Sequence, residues 1–429
     1  MFGIIFIYHS MEGGVTIVKL SFRFFPKLTS LQMDIVEELC FHTTKLYNIA
    51  NYECITNGYK SYYDMEKLHT TCWHKAFLHS HTYQQCLKVL EQDWKSYFAA
   101  AADYKNNPQK YKAMPKPPKY NNMENHKNQI IFTNPAVRFK NNMLMLSLAK
   151  EVQARFGVES LNFEVSDKLQ KLMNLDSIQQ VKIKYDHSQK QWYIIIIYKA
   201  ETTSQTTGNN VMAVDLGLDN LCAVTFRDNP GQYLIDGRRL KAKNSYFNKQ
   251  IAYYTSLEMK KSGNTRFKRT ARIRKLQKQR NDYIQDCLHK ASRKLIEMAL
   301  LNNCSTIVIG DISGIKQESP IEGFVQIPIQ RLVEQIKYKA EIVGIEVVLQ
   351  EESYTSGVSA IDLEPVDKVH YNKNRRIARG LFKSNEGFLI NADINGSLNI
   401  LRKYKNVVPE LVIQVRDNGL VDNPIRIAA

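Results

Sequence analysis

The 429-residue chain lacks several patterns that would place it in a common class. It has no apolar run near the ~20 residues that span a bilayer, so no membrane partner is expected. Its seven cysteines form no CxxC pair and end at Cys304, which excludes ordinary zinc-finger spacing and is typical of buried thiols in a reducing cytosol. The apolar residues 1–8 lack a basic leader and a small-residue cleavage site, so no secretory signal is expected, and Met11 is an alternative start.

Acidic residues are scarce relative to basic ones. The chain has 42 Asp and Glu against 59 Lys and Arg, a formal net charge of +17. Such an excess favours a polyanionic partner through counterion release. Between Met259 and Asn281 the sequence has no acid at all, so we expect the basic residues there to contact phosphate, the alternative being a solvated helix face. These ten residues, called the basic run below, are Lys260, Lys261, Arg266, Lys268, Arg269, Arg272, Arg274, Lys275, Lys278 and Arg280.

The first half of the chain changes from strand to helix and back to strand. Alternating apolar residues predict an early strand that ends at Pro26. Helical periodicity follows, and short strands return after a linker rich in Lys, Asn and Pro. We expect an α+β multidomain protein whose N-terminal β-barrel, formed by residues 12–30 and 113–205, is interrupted by a helical insertion at 31–112.

The second half alternates strands and helices, which indicates an α/β domain with a mixed sheet. A long helical stretch near residues 245–300 carries the basic run. We expect the domain to cover residues 209–356 and 388–404, with an insertion at 357–387 and a C-terminal tail at 405–429.

Three acidic positions follow apolar strands or precede a helix. Asp215 ends a Val-Met-Ala-Val strand, Glu352 follows the strand at 345–349, and Asp393 stands before Ile-Asn-Gly. Carboxylates that project from different elements into one cleft are what a two-Mg²⁺ phosphodiester-cleaving site requires. The alternatives are a turn or an actin-like nucleotide-binding strand for Asp215, and a helix N-cap for Asp393.

These motifs together resemble those of TnpB, the transposon-encoded family of RNA-guided nucleases related to type V CRISPR effectors and eukaryotic Fanzor proteins. The resemblance rests on the Asp215 strand, the basic run, Thr306-Ile-Val-Ile-Gly310-Asp311 and Asn391-Ala-Asp393-Ile-Asn-Gly, in the family's order. It implies a RuvC-type, RNase H-like nuclease domain with two Mg²⁺ ions, or Mn²⁺ in their place. It also implies two partners, a guide RNA from the transposon end and target double-stranded DNA with a short flanking motif, in a prokaryotic cytoplasm near the nucleoid.

The family's second acid is missing from its usual place. A Glu usually ends the Val-Ile strand, where this chain has Gly310. Asp311 is next in line, but successive strand residues point to opposite faces, so we expect its side chain to point away. Some TnpB-like and Fanzor proteins have a relocated Glu, and its position corresponds to Glu352 here. Glu351 is the remaining local alternative.

The resemblance therefore implies that Asp215, Glu352 and Asp393 hold the two ions and carry the catalysis. The family often has a zinc ribbon before the last Asp, but residues 357–387 contain no Cys, so we expect a metal-free, ribbon-like remnant and no zinc. His370 is expected to be a surface residue. If no third acid is competent, the alternatives are a nuclease-inactive, RNA-guided repressor or an accessory transposase protein.

Overall fold

The computed structural model describes most of the chain, in two compact units, Met1–Ala200 and Glu201–Ala429. The described residues are 10–12, 15–122, 127–166, 177–201, 208–263, 269–311, 327–410, 412–414 and 424–428.

Helices form the middle of the first unit. In its described part they are α1 (Ser30–Thr56), α2 (Tyr62–Leu68), α3 (Trp73–Ala76), α4 (Ser80–Asn106) and α5 (Lys150–Phe156). Thr29 and Gln32 form a reciprocal capping box that starts α1. The buried side chains of Leu39 and Leu46 on α1 share a core with Leu90 on α4, so the predicted helical stretch is confirmed.

Strands lie before and after these helices. They are β1 (Ser10–Glu12), β2 (Val15–Phe24), β3 (Ile130–Thr133), β4 (Val137–Lys140), β5 (Met143–Ser147), β6 (Ser160–Glu164), β7 (Ile178–Asp186) and β8 (Gln191–Glu201). One sheet has the order β1-β2-β8-β7-β3 and another β4-β5-β6. The order of strands, helices and strands is confirmed, while closure into a barrel stays a prediction.

A six-stranded mixed sheet organises the second unit, as predicted. Its order is β13-β12-β9-β10-β11-β17. The strands are β9 (Asn210–Leu216), β10 (Asn220–Phe226), β11 (Tyr233–Asp236), β12 (Cys304–Asp311), β13 (Glu346–Glu351) and β17 (Ile425–Ala428). Because β9, β12 and β13 run parallel to one another, their carboxyl ends meet at the same edge of the sheet.

The helices of this unit cover the two faces of the sheet. In the described part of this unit they are α6 (Arg238–Ser262), α7 (Ala271–Leu301), α8 (Ile329–Ile342) and α9 (Ala392–Lys403). The predicted long helical stretch near 245–300 is wrong as a single helix. It ends and restarts because Gly263 has a left-handed φ of 61°, which terminates α6, and Thr270 caps α7 with its side chain.

Two further features complete the unit. The region of the insertion holds a small antiparallel sheet of β14 (Arg376–Ala378), β15 (Leu381–Lys383) and β16 (Leu389–Asn391). The sequence did not predict β17, which lies within the expected tail. Among the described residues, no helix has both the length and the apolar character that crossing a membrane requires.

Candidate active site

Asp215 lies near the carboxyl end of β9, on the face of the sheet that α9 covers. Val211 and Ala213 pack with Ile400 of α9, and residues two apart on a strand share a face. A Cβ atom placed on Gly396 of α9 would lie 2.5 Å from Asp215 Oδ2, so a glycine is what lets the helix pass this close. The first turns of α9 therefore lie against the Asp215 carboxylate.

Burial dominates the electrostatics of Asp215. Burial first, and then the carboxylates of Glu352 and Asp393, raise the pKa of Asp215 well above its ordinary value. The three acids predicted from the sequence thus interact in the folded chain, although they lie far apart in sequence.

Glu352 directly follows β13 and places its carboxyl group over Gly310 of β12. A Cβ atom on Gly310 would lie 1.7 Å from Glu352 Oε1 and 2.6 Å from its Cδ. The carboxyl group of Glu352 therefore occupies space that any side chain at position 310 would need. Burial, followed by the charges of Asp311 and Glu351, raises the pKa of Glu352 to about 7. Its Oε1 is buried and has no hydrogen-bond partner in the part of the chain that the structure describes.

Asp393 lies in the first turn of α9, but it is not the cap. The N-cap is Asn391, whose side chain accepts hydrogen bonds from the backbone nitrogens of Asp393 and Ile394. Asp393 Oδ2 accepts a hydrogen bond of 2.6 Å from Asn220 Nδ2. Its Oδ1 lies 3.8 Å from a guanidinium nitrogen of Arg376. The N-cap alternative for Asp393 is therefore wrong, and its carboxylate takes part in side-chain contacts instead.

The other local acids have different surroundings. Glu351 accepts a hydrogen bond of 2.5 Å from Lys403 Nζ, and Lys403 and Ser353 lower its pKa to about 2. Asp311 is close enough to raise the pKa of Glu352. Within the described ranges, no three His, Cys, Asp or Glu groups lie close enough to hold one metal ion as they stand. The charges of these acids therefore affect one another's pKa, but within the described residues the acids do not form a three-ligand metal site.

Buried polar residues of α9 tie the elements of the site together. Asn395 Nδ2 donates to the backbone oxygen of Val358 at 2.8 Å, and Asn399 Nδ2 donates to that of Thr355 at 2.9 Å. Ser397 Oγ donates to the backbone oxygen of Ala213 on β9 at 3.1 Å. The helix that carries Asp393 is thus bonded both to the Asp215 strand and to the segment after Glu352. Sequence reasoning missed these residues, whose only signal is the pattern of Asn and Ser in an otherwise apolar helix.

A basic cavity of about 720 Å³ lies beside Asp393. Asp219 lies in its wall and accepts hydrogen bonds from Lys241, at 2.8 Å, and from Arg379. The cations of the wall come from α6, from the insertion and from β17. They are Arg238, Lys241, Arg376, Arg379 and Arg426. The cavity can accept an anion next to the Asp393 carboxylate.

The basic run is divided between α6 and α7. Arg266 and Lys268 lie outside the described residues. The interpretation that the run has no acidic partner is wrong for Lys278, which lies 3.9 Å from Asp282, and for Lys261, which lies 3.7 Å from Glu258. Both acids lie within one helical turn of the run but outside residues 259–281. Counting the acids between those residues therefore does not reveal them.

Arg280 and Arg272 of the run contact α6. Arg280 Nε donates to Asn244 Oδ1 at 2.7 Å and so connects α7 to α6. The guanidinium of Arg272 lies 4.0 Å from the centre of the Tyr254 ring, also across the two helices. Contact between the run and phosphate remains a prediction.

The chain resembles known proteins in both sequence and structure. The profile of a family described as probable transposases, OrfB of IS605, matches residues 182–316, and that of the Cas12f1-like TNB domain matches residues 330–400. The TnpB-like protein ORF457 of Acidianus two-tailed virus is 25% identical over 411 residues, which cover 85% of this chain and 82% of that protein. The chain is thus similar to a TnpB-like protein over most of its length.

The chain is also similar to CRISPR-associated proteins. The CRISPR-associated endodeoxyribonuclease Cas12f1 of Sulfoacidibacillus thermotolerans is 25% identical over 230 residues, 51% of this chain and 52% of that protein. The match thus spans about half the length of this relative. A cryo-EM structure of a Cas12f1–sgRNA–target DNA complex has a TM-score of 0.58 at 15% identity and covers 86% of this chain and 82% of that one. This likeness shows a shared multidomain α and β fold.

Proposed function

We propose that this protein is a member of the TnpB family and an RNA-guided DNA endonuclease encoded by an insertion sequence. One observation carries the proposal: the charges of Glu352 and Asp393 raise the pKa of Asp215, so the three carboxyl groups lie near one another. They come from a strand, the end of a second strand and a helix. The relative named as an endodeoxyribonuclease supports the reaction, and the complex with sgRNA and target DNA supports the partners. The mixed sheet covered by α9 supports a RuvC-like, RNase H-like nuclease domain.

The donors fit a pair of Mg²⁺ ions, with Mn²⁺ as an alternative. Carboxylate oxygens are the hard ligands that Mg²⁺ prefers. Glu352 Oε1 is buried without a hydrogen-bond partner among the described residues. The pKa of Asp215 is raised by burial first and then by the charges of Glu352 and Asp393, and a cation beside the carboxylate would offset both. When bound, the two ions supply an activated water and stabilise the leaving oxygen of the cleaved phosphodiester. Asp215, Glu352 and Asp393 would hold them, and we propose no zinc.

The chain's own residues position the substrate. The cations of the basic cavity attract the DNA backbone to the side of Asp393. The basic run contacts phosphates and so orients the strand without reading its sequence. Pairing between guide RNA and target then selects the sequence, while aromatic side chains stack on unpaired bases.

We assign the remaining regions by the same reasoning. A barrel of residues 12–30 and 113–205, with the helical insertion at 31–112, holds the guide RNA and the short flanking motif. The insertion at 357–387 is a metal-free remnant of a ribbon, in which His370 Nδ1 lies 2.8 Å from Asp367 Oδ1. The protein would act in a prokaryotic cytoplasm, on nucleoid DNA.

Co-purified RNA tests the guide function most directly. Purified protein should carry RNA from next to its own gene, and the complex should nick a plasmid that matches this RNA in Mg²⁺. Asp215→Ala should bind the same RNA and leave the plasmid intact. The absence of bound RNA, or cleavage independent of a match, would contradict the guide function.

A nuclease-inactive, RNA-guided repressor is the second candidate. It is favoured by the absence of a closed three-ligand metal group within the described ranges. In that case the wild-type complex would bind the matched plasmid in a mobility-shift assay and leave it uncut at every Mg²⁺ and Mn²⁺ concentration.

A further inference from the structure

The strand β17 brings a side chain to the candidate active site from the expected tail. It pairs in parallel with β11, with Arg426 opposite Leu234. The bond from Ile425 N to the backbone oxygen of Gln232, 2.9 Å long, fixes the start of this pairing. In this register Arg426 Nη1 donates to Asn220 Oδ1 at 2.9 Å.

Asn220 connects Arg426 to Asp393 of α9. Its Nδ2 donates to Asp393 Oδ2 at 2.6 Å. Asn220 begins β10, and the register between β10 and β11 shifts between Asn220 and Cys222. Such an irregularity re-aims a side chain, and here the amide is only 8% exposed.

The chemistry of the three groups allows one orientation of the amide. A guanidinium has donors only and a carboxylate has acceptors only, whereas an amide has one group of each kind. The Asn220 oxygen must therefore face Arg426 while its nitrogen faces Asp393, as the structure has them. Reversing the amide would place oxygen against a carboxylate and NH₂ against a guanidinium.

We propose that Arg426 is a positioning residue for Asp393 and acts through Asn220. The strand β17 is then part of the nuclease site, although the sequence predicted only a tail there. This inference rests on the proposed function, since it assigns Asp393 to the reaction. Partners that orient a metal-binding carboxylate typically change metal affinity or activity by ~10–100-fold when removed.

Direct contact with DNA is the competing role for Arg426, because its side chain also lines the basic cavity. The two roles differ in their coupling to Asn220. A positioning residue loses its effect once Asn220 is gone, whereas a phosphate contact retains it.

A double-mutant cycle on the full chain with its guide RNA separates these roles. Arg426→Ala should slow cleavage about 10-fold, and the Asn220→Ala, Arg426→Ala double variant should be no slower than Asn220→Ala alone. Arg238→Ala is the matched control, because it removes another cation of the same cavity, and its effect should multiply with that of Asn220→Ala. Arg426→Gln, which keeps an amide donor, should recover part of the rate. Multiplying effects of Arg426→Ala and Asn220→Ala would overturn the inference.

Metal binding gives a readout that needs no cleavage. We would measure Mn²⁺ affinity of the RNA-free protein by the electron paramagnetic resonance of free Mn²⁺. Arg426→Ala and Asn220→Ala should each weaken it about 10-fold, whereas Arg238→Ala should not. Equal affinities of wild type and Arg426→Ala would overturn the inference. A wild type that never cleaves DNA would instead contradict the proposed function, and the Mn²⁺ comparison would still decide the role of Arg426.

Discussion

At the scale of single residues, the carboxyl group of Glu352 leaves no space for a side chain at position 310. The carboxyl group of Glu352 lies where a Cβ at position 310 would be, with 1.7 Å between them. The absence of a side chain at position 310 of β12 is therefore the condition that lets the carboxyl group of Glu352, which follows β13, take this place. Gly310 has a function in this chain because it has no side chain.

Substitution of Gly310 tests this relation. Gly310→Ala should displace Glu352 and reduce plasmid cleavage by at least about 10-fold, since misplacement near 1 Å can cost a site ~100-fold in rate. The Gly310→Glu, Glu352→Ala double variant returns the acid to β12 and should recover activity over Glu352→Ala. A Gly310→Ala variant as active as the wild type would show that Glu352 is not needed at this place.

The raised pKa of Glu352 predicts a cost to stability in the absence of metal. Burial raises this pKa from 4.5 to about 7, so the folded chain binds more protons than the unfolded chain between these values. Stability is then lost as pH rises from 4.5 through 7. In EDTA, Glu352→Gln should melt close to the wild type at pH 4.5 and roughly 5–10 °C above it at pH 8, since a pKa that rises from 4.5 to about 7 corresponds to about 3 kcal/mol of stability.

Calorimetry at both pH values measures this difference, and Glu351→Gln is the matched control. The pKa of Glu351 is lowered to about 2 by Lys403 and Ser353, so its ionised form stabilises the fold. Glu351→Gln should therefore melt below the wild type at pH 8. If Glu352→Gln also melts below the wild type there, burial does not penalise the Glu352 charge.

At the scale of elements, α9 determines the geometry of the site. Its buried polar side chains bond to β9 on one side and to the segment after Glu352 on the other. Buried amides that lose a partner cost about 1–3 kcal/mol each, so these contacts define one arrangement of the three acids.

Asn399 provides a test of this helix. Its Nδ2 donates to Thr355 and Val358, and its Oδ1 accepts from Arg402 at 2.9 Å. Asn399→Ala should destabilise the chain by about 2–4 kcal/mol in urea unfolding, because these partners are left unpaired, and it should slow cleavage at a temperature where the variant is folded. Asn57→Ala removes an exposed amide from the first unit and should change stability by under ~0.5 kcal/mol. Equal effects of the two would contradict the role of α9.

The sequence was informative where a pattern is local. Alternating and helical periodicities predicted β2, α1, β9 and the mixed sheet, and apolar strands with terminal acids pointed to Asp215, Glu352 and Asp393. It failed where the outcome depends on pairing over a long distance. The contact of Asn220 with Asp393 joins residues 173 positions apart, and β17 has only four residues with no neighbour in sequence to pair with.

At the scale of the whole molecule, the net charge of +17 gives a general affinity for polyanions. We expect the basic run to contribute through its exposed members, such as Lys260 and Lys275, whereas Arg280 donates a hydrogen bond to Asn244. Affinity from such contacts falls with salt.

Exchange of Lys260 and Lys275 for Ala should therefore lower the salt dependence of nucleic-acid binding. Each lost phosphate contact reduces the slope of log affinity against log salt by about 0.7–0.9, so we expect a reduction of about 1.4–1.8 in filter-binding titrations. Lys290→Ala, outside the run and paired with Asp286 at 2.7 Å, should leave the slope unchanged. An unchanged slope in the double variant would indicate that Lys260 and Lys275 belong to a solvated helix face and do not contact phosphate.

We propose that Glu352, whose carboxyl group lies over Gly310, completes the site with Asp215 and Asp393. The most direct measurement is the rate at which the guide-RNA complex cleaves a matched plasmid in Mg²⁺, compared between Glu352→Ala, Glu351→Ala and Asp311→Ala. We predict that Glu352→Ala abolishes cleavage, while Glu351→Ala and Asp311→Ala retain it. Cleavage that survives Glu352→Ala and disappears in Asp311→Ala would contradict the account.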